Sequence, residues 1–424
     1  MNQNKLIVFF VFVVFFVISF LTNILGPLIP DIINSYKLSN SLAGFLPFSF
    51  FIAYAVMSLP AGLLIEKYSQ KKIILAGFIA AFAAAFSFAL FSTFEVALAS
   101  LFVIGLGMAM LQVVINPLLR ESGGENNFAF NSILAQLFFG SASFLSPLLY
   151  SYLVNHIHTA DNSFIITIFN SLVGKETRWI SLYWVFAVVS LLMIVVTLIT
   201  RFPAVKLTDE EKVDMGRSFT ELIRNRYVIM FFIGIFCYVG TEQGIANWTS
   251  KFLEVYHGQD PSTTGAHVIS YFWGLMTLGC VAGLLFLKLF DSKKVLLVSA
   301  VCALVTFAIA LYGNTGQALF CFPLTGLFLS VMWGIIFSLA LNSVPKHHGT
   351  FSGILCTAIA GGAIVPLAIA GLSELTGLRG AMTVIFLTLG YIISVSIWAR
   401  PLIRNTTIKE WWKLPRLAKK LNDK

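Results

Sequence analysis

The sequence predicts an all-α integral membrane protein of twelve membrane-spanning helices, arranged as two pseudo-symmetric six-helix bundles. Three observations predict it. Of the 424 residues, 58% are apolar and only 11% are charged, against about 25% charged in an ordinary soluble domain. Twelve apolar runs have the length needed to cross a bilayer. The second half of the chain repeats the first at a fixed offset.

Composition alone names the solvent. Phe occurs 41 times, and no soluble fold of this size hides so much apolar surface behind so little polar skin, so the surrounding medium is lipid. The five cysteines (Cys237, Cys280, Cys302, Cys321 and Cys356) fall in apolar runs without metal-like spacing, and they read as small hydrophobes. The start, Met1–Lys5 followed by a long apolar stretch, is too long for a signal-peptide core and lacks a small-residue cleavage site, so it is read as a retained first helix.

A hydrocarbon core of about 30 Å takes about 20 apolar helical residues to cross. Runs of that kind lie near 6–33, 42–65, 73–92, 95–119, 128–154, 179–201, 227–255, 264–288, 294–313, 317–341, 349–373 and 379–400. They are helices 1 to 12. Basic residues collect on the cytoplasmic side of a membrane. With both termini cytoplasmic, the outer loops hold only Lys37, Lys175, Arg178, Lys251 and Arg379, leaving 23 of the 28 Lys and Arg inside. The net charge of +9 is therefore topology, and nucleic acid is not an expected partner.

The one long charged interruption, 201–226, follows helix 6 and divides the chain. Residues 1–200 form the first six-helix half, 201–226 a cytoplasmic linker, 227–404 the second half and 405–424 a basic tail. The tail mixes Trp411, Trp412, Leu414, Leu417 and Leu421 with Lys413, Arg416, Lys419 and Lys420. That mixture suits a helix lying on the inner membrane surface, and equally a solvated basic tail.

At an offset of 221, Ala61-Gly62-Leu63-Leu64 maps onto Ala282-Gly283-Leu284-Leu285, Lys67 onto Lys288, Gly105-Leu106 onto Gly326-Leu327, Gly140 onto Gly361 and Phe15 onto Phe236. Shared register across several helices, rather than any one match, marks an internal repeat. Two parallel six-helix halves enclose a central cavity that rocking exposes to each side in turn.

Between helices 2 and 3, Gly62, Glu66, Lys67, Lys71 and Lys72 have the spacing of the major facilitator superfamily signature. Glycine would let helices approach closely, and the charges would latch the halves on the cytoplasmic side. The plainer reading is an ordinary basic inner loop. The second-half copy has Leu287 where Glu66 would fall, so one half alone carries the full latch.

Further stretches resemble the fucose:proton symporter family, which includes the bacterial glucose/galactose transporters. They are Gly105-Leu-Gly with Gln112-Val-Val-Ile-Asn116-Pro117 in helix 4, Leu134-Ala-Gln136 in helix 5 and Phe236-Cys-Tyr-Val-Gly240-Thr-Glu242 in helix 7. Ile336-Phe-Ser-Leu339 in helix 10 and Gly361-Gly-Ala-Ile-Val-Pro366 in helix 11 complete the set. The resemblance covers about 8–400 and implies monosaccharide uptake driven by a cation gradient. Where the fucose-specific branch carries acids in helices 1 and 4, this chain has Gly26 and Gln112, and Phe139 replaces a helix 5 Asn. Helix 4 Gln with helix 7 Glu matches the glucose/galactose branch instead, which points to sodium rather than proton as the coupled ion.

Ionisable groups at mid-membrane cost about 2.5–3.5 kcal/mol on insertion scales, so each needs a reason. Glu242, deep in helix 7 between Gly240 and Gly244, is the leading cation-coupling candidate, and Asp31 is the next. Neutral polar residues form stripes: Gly105, Met108, Gln112 and Asn116 on helix 4, and Ser132, Gln136, Gly140 and Ser143 on helix 5. Gln243 and Asn247 follow Glu242, and convergence of the three calls for helix 7 to unwind near its glycines.

Sugar hydroxyls need amide donors and acceptors, and a sugar's C–H face packs on indole. Gln112, Asn116, Gln136, Gln243, Asn247, Trp248, Trp273 and Trp333 supply that chemistry. Interhelical glue and core filling are the plainer explanation of the same residues.

The expected function is a secondary active transporter: cation-coupled uptake of a monosaccharide across the inner membrane by a monomer. A proton-coupled exporter of small amphipathic compounds is the alternative, and a membrane receptor the third reading. No Ser-His-Asp order, metal-ligand cluster or nucleotide loop points to an enzyme, and no cofactor is expected beyond the co-transported Na+ or H+.

Overall fold

The computed structural model describes residues 3–159, 163–202, 221–344 and 348–400. The central linker (203–220), the tail (405–424) and the side chains of Glu66 and Lys67 lie outside the described residues.

All regular structure among the described residues is helical. Eleven helices are long and apolar enough to cross a membrane: Lys5–Tyr36, Asn40–Gly62, Gln70–Leu90, Phe94–Gly123, Leu134–His156, Arg178–Ile199, Arg226–His257, Pro261–Leu289, Ser292–Tyr312, Thr315–Leu341 and Phe351–Ala381. A twelfth, Val384–Trp398, is apolar and shorter. These are helices 1 to 12, and each falls on one of the twelve predicted runs. A helix the hydropathy pattern did not predict, Phe164–Leu172, lies between helices 5 and 6. At nine residues it is too short to register as a span.

The halves are built alike. In the first, helix 2 packs on 4, 3 on 4, 3 on 6, 1 on 5 and 1 on 4; in the second, 8 packs on 10, 9 on 10, 9 on 12, 7 on 11 and 7 on 10. Between halves, helix 5 meets 8, helix 2 meets 11 and helix 1 meets 7.

The repeat has a physical cause at two kinds of position. Helices without a hydrophobic drive between them associate through small residues that let backbones touch. A methyl on Gly105 would overlap the Phe50 carbonyl of helix 2, and one on its repeat partner Gly326 would overlap the Phe272 carbonyl of helix 8. Lysines then cap the closing helix of each half. Lys71 Nζ donates to the Leu198 and Thr200 carbonyls at 2.7 and 2.9 Å. Lys293 Nζ donates to the Ile397 and Ala399 carbonyls at 3.1 and 2.7 Å. Orphan carbonyls at a helix end carry partial negative charge, and an ammonium satisfies two at once.

In this state Lys71, one of the latch residues, is engaged by helix 6 of its own half. A methyl on Gly62 would meet no atom within 4 Å, so close helix approach is not what Gly62 provides here.

One end of the bundle carries the N-terminus; the opposite end is called the far face. There the halves touch. Asn40 Nδ2 donates to Ser373 Oγ at 3.0 Å and the Ser41 amide donates to Glu374 Oε1 at 3.0 Å. Ser270 Oγ donates to the Phe144 carbonyl at 2.6 Å. A side chain on Gly26 would collide with the Ala246 carbonyl, so helix 1 lies backbone-to-backbone on helix 7.

Candidate functional site

Below that seam lies a cavity of about 490 Å³ lined by both halves, inside the range of about 300–1,000 Å³ usual for small-molecule sites. It runs from Asn23 and Trp273 past Gln136 towards Ser132, Leu284 and Leu287, near the ends of helices 5 and 8 that face away from the seam.

Three wall helices are interrupted at its depth. Helix 1 breaks between Thr22 and Leu25, helix 10 between Leu329 and Met332, and helix 11 tightens to a 3-10 turn at Ala358–Ala360. Asn23, Ser330, Val331 and Ile359 from these breaks line the cavity. Irregular backbone at membrane depth is tolerated where protein or a water-filled cavity satisfies it.

The first half supplies amides and hydroxyls. Asn23 Nδ2 donates to Ser143 Oγ at 2.9 Å, tying broken helix 1 to helix 5. The predicted helix 5 stripe, Ser132, Gln136, Gly140 and Ser143, lines the wall throughout. On helix 4 the stripe does not hold. Met108 is fully buried and Gly105 is pressed on helix 2, which leaves Gln112 on the wall. Its Oε1 is buried and accepts no hydrogen bond among the described residues.

The second half supplies a carboxylate and rings. Glu242 and Gln243 both line the cavity, with Gln243 Nε2 donating to Glu242 Oε1 at 3.1 Å. Trp273 lines it too, and its buried indole N–H has no acceptor among the described residues. Tyr238, Trp333 and Phe337 form an aromatic run, Tyr238 to Trp333 at 6.0 Å and Trp333 stacked on Phe337 at 6.0 Å. No Lys, Arg or His is among the lining residues.

Several sequence-predicted positions stand elsewhere. Helix 7 is continuous from Arg226 to His257 and does not unwind. Gly240 and Gly244 instead let helix 11 approach through Val365 and Ile369. Glu242 and Gln243, neighbours in sequence, both reach the cavity from the straight helix because it passes round that side. Asn247, one turn on, is buried and donates to the Gln243 carbonyl at 2.8 Å. Asn116 turns back to the Gln112 carbonyl of its own helix at 3.3 Å. Trp248 is fully buried, its N–H donated to the Pro366 carbonyl at 3.0 Å. It is a packing residue between helices 7 and 11. Asp31 lies at the far face beyond the cavity, accepting from the Tyr150 hydroxyl.

Asn23 and Tyr238 are wall residues that sequence reasoning missed. A signal existed for both: an amide deep in an apolar helix just before Gly26-Pro27, and a phenol one turn before the buried acid.

The profile of the Major Facilitator Superfamily matches residues 11–366. A protein named as a glucose/galactose transporter of Brucella abortus (strain 9-941) is 30% identical over 391 residues, 89% of this chain and 90% of its own. One named as the L-fucose-proton symporter of Escherichia coli (strain K12) is 26% identical over 83% of this chain and 84% of its own. Among solved structures, the fucose transporter in its outward conformation superposes with a TM-score of 0.67 at 20% identity, covering 94% of this chain and all of its own. A bacterial homolog of the human lysosomal transporter Spinster, inward-facing, gives 0.73 at 16% identity, covering 94% and 97%. With its profile, its relatives and its twelve-helix fold in agreement, this chain belongs to the Major Facilitator Superfamily, a family of membrane transporters and not of enzymes.

Proposed function

We propose that the protein is a cation-coupled symporter that takes up a monosaccharide by alternating access. The observation that carries this reading is a pair of unpaired groups on opposite walls. Among the described residues, Gln112 Oε1 and Trp273 Nε1 are buried without partners, in residues that line one cavity. Buried polar atoms of that kind are costly unless a ligand satisfies them, and a sugar hydroxyl both donates and accepts. Gln136 and Gln243 add amides, while Trp273 and Trp333 offer flat faces to sugar C–H groups. The named relatives transport glucose, galactose or L-fucose, in keeping with that chemistry.

Coupling is assigned to Glu242. It is the carboxylate among the described lining residues, none of which is basic, so its charge calls for a cation when ionised. Sodium is favoured over a proton on the helix 4 and helix 7 pattern. With both termini cytoplasmic, as the basic-residue count implies, the far face is the outside and the described state opens inward. Glu66 and Lys67 then remain candidates for the inner latch.

Uptake of labelled D-glucose and D-galactose into vesicles carrying the protein, under imposed sodium or proton gradients, tests the reading. Accumulation under a sodium gradient is expected, and absence of uptake under either gradient would refute it. An exporter of amphipathic compounds is the second reading, favoured by the rings of Phe15, Phe51, Tyr54 and Trp333 on the wall. It predicts cation-driven efflux of such compounds and no sugar uptake.

A further inference from the structure

We infer that Asp31 is a proton-binding site in the seam between the halves, and that its protonation favours the closed far face. The cavity chemistry does not use Asp31, which sits past the break of helix 1. Its carboxylate accepts a hydrogen bond from Tyr150 of helix 5, and Tyr150 is fully buried.

What faces it from the other half is acidic. The first turn of helix 8, Pro261–Gly265, packs against both helix 1 and helix 5. Asp260 caps that turn, its side chain accepting from the Ser262 amide. Asp260 and Glu254 are the carboxylates that the end of helix 7 and this turn bring to the far face beside helices 1 and 5. Glu254 is held by Lys251 at 2.7 Å. On helix 8, His267 is exposed and turned to the Tyr271 ring. Lys37 closes helix 1 six residues further on. Among the described residues no cation pairs with Asp31.

An ionised carboxylate is disfavoured wherever burial strips its water and like charges approach. Closure of the far face does both to Asp31, because it brings the Asp260 turn onto helices 1 and 5. Separating the halves withdraws Asp260 and Glu254 and admits water. The protonated carboxyl keeps its hydrogen bond to Tyr150 and loses the repulsion. Proton binding and closure are therefore linked, each promoting the other by the same factor. Asp31 is outside the cavity and the link needs no sugar, so its failure leaves the transport reading untouched.

The test is a distance measurement on the full-length protein without sugar, in a background with the five native cysteines replaced. Labels go at Leu42→Cys and Leu375→Cys, exposed positions near the far ends of the two halves (45% and 83% exposed). Lowering the pH from about 8 to about 5 should raise the ratio of closed to open distances by about tenfold in the parent. In Asp31→Asn the closed distance should dominate throughout, with less than about a twofold response. Asp260→Asn should raise the closed fraction at the alkaline end and shrink the response, which keeps the inference testable if Asp31→Asn fails to fold. A parent-like pH response in Asp31→Asn, or an unchanged alkaline population in Asp260→Asn, would overturn it.

Discussion

The two halves share a scaffold and divide the chemistry. Gly105 presses on a carbonyl of helix 2 and Gly326 on one of helix 8, and Lys71 and Lys293 cap the ends of helices 6 and 12. Yet the first half brings Asn23, Gln112 and Gln136 to the cavity, whereas the second brings Glu242, Trp273 and Trp333. Repeats preserve what packing requires, because a helix crossing fails if its glycine grows. The cavity wall has no such constraint, so the halves can hold different groups there. Under the proposed function, sugar hydroxyls fall mainly to the neutral half and the cation to the charged half.

Substitutions that separate the halves' roles should sharpen that division. The largest effect belongs to Glu242→Gln. A monovalent cation gains about 2.3 kcal/mol crossing 100 mV, and a tenfold gradient adds about 1.4 kcal/mol. Together these sustain a several-hundredfold sugar accumulation, which the variant should lose while still exchanging labelled sugar downhill in counterflow. Concentrative uptake at the parental level would move the coupling site elsewhere.

On the neutral wall, Gln112→Ala and Gln136→Ala should each weaken sugar affinity by about ten- to hundredfold, the cost of about 1–3 kcal/mol for an unmet hydrogen bond. Both variants should keep the cation dependence of what binding remains. Unchanged affinity in purified protein would remove these residues from the site.

Trp248→Phe should leave affinity alone and lower thermal stability by about 1–3 kcal/mol, since the Pro366 carbonyl loses its donor in a dry interior. A large affinity loss instead would put Trp248 back in the site. The smallest effects test the scaffold. Lys71→Met and Lys293→Met should each cost about 0.3–1 kcal/mol, the usual worth of a cation at a helix C-terminus. Stability measurements that find one costly and the other silent would break the equivalence of the halves.

Most of the fold was legible because lipid enforces it. Long apolar runs, basic-residue asymmetry and the 221-residue offset each follow from the bilayer or from helix crossing. Site legibility was uneven. The helix 5 stripe lay on one face as its spacing implied, and all four of its residues line the cavity. The helix 4 stripe did not, since Gly105 and Met108 share its face but serve contact with helix 2 and the core. Helical spacing shows which residues share a face, not what that face meets. For the same reason Asn247 and Trp248 looked like cavity residues, and proved to be a tie within helix 7 and a tie from helix 7 to helix 11. The break in helix 1, which brings Asn23 to the wall, has a local cause in Pro27, whose ring meets the carbonyl four residues back, while the partner that holds Asn23 there, Ser143 of helix 5, is set by tertiary packing.

The central claim is that cation and sugar are bound by opposite halves and stabilise each other across one cavity. Coupled binding must be reciprocal, so it can be measured without a membrane gradient. The decisive measurement is the dissociation constant of D-glucose for the purified protein with and without saturating sodium, in the parent and in Glu242→Gln. The account predicts at least about tenfold tighter binding with sodium in the parent, or about 1.4 kcal/mol of coupling, and equal constants in the variant. A sodium effect of the same size in Glu242→Gln would contradict it.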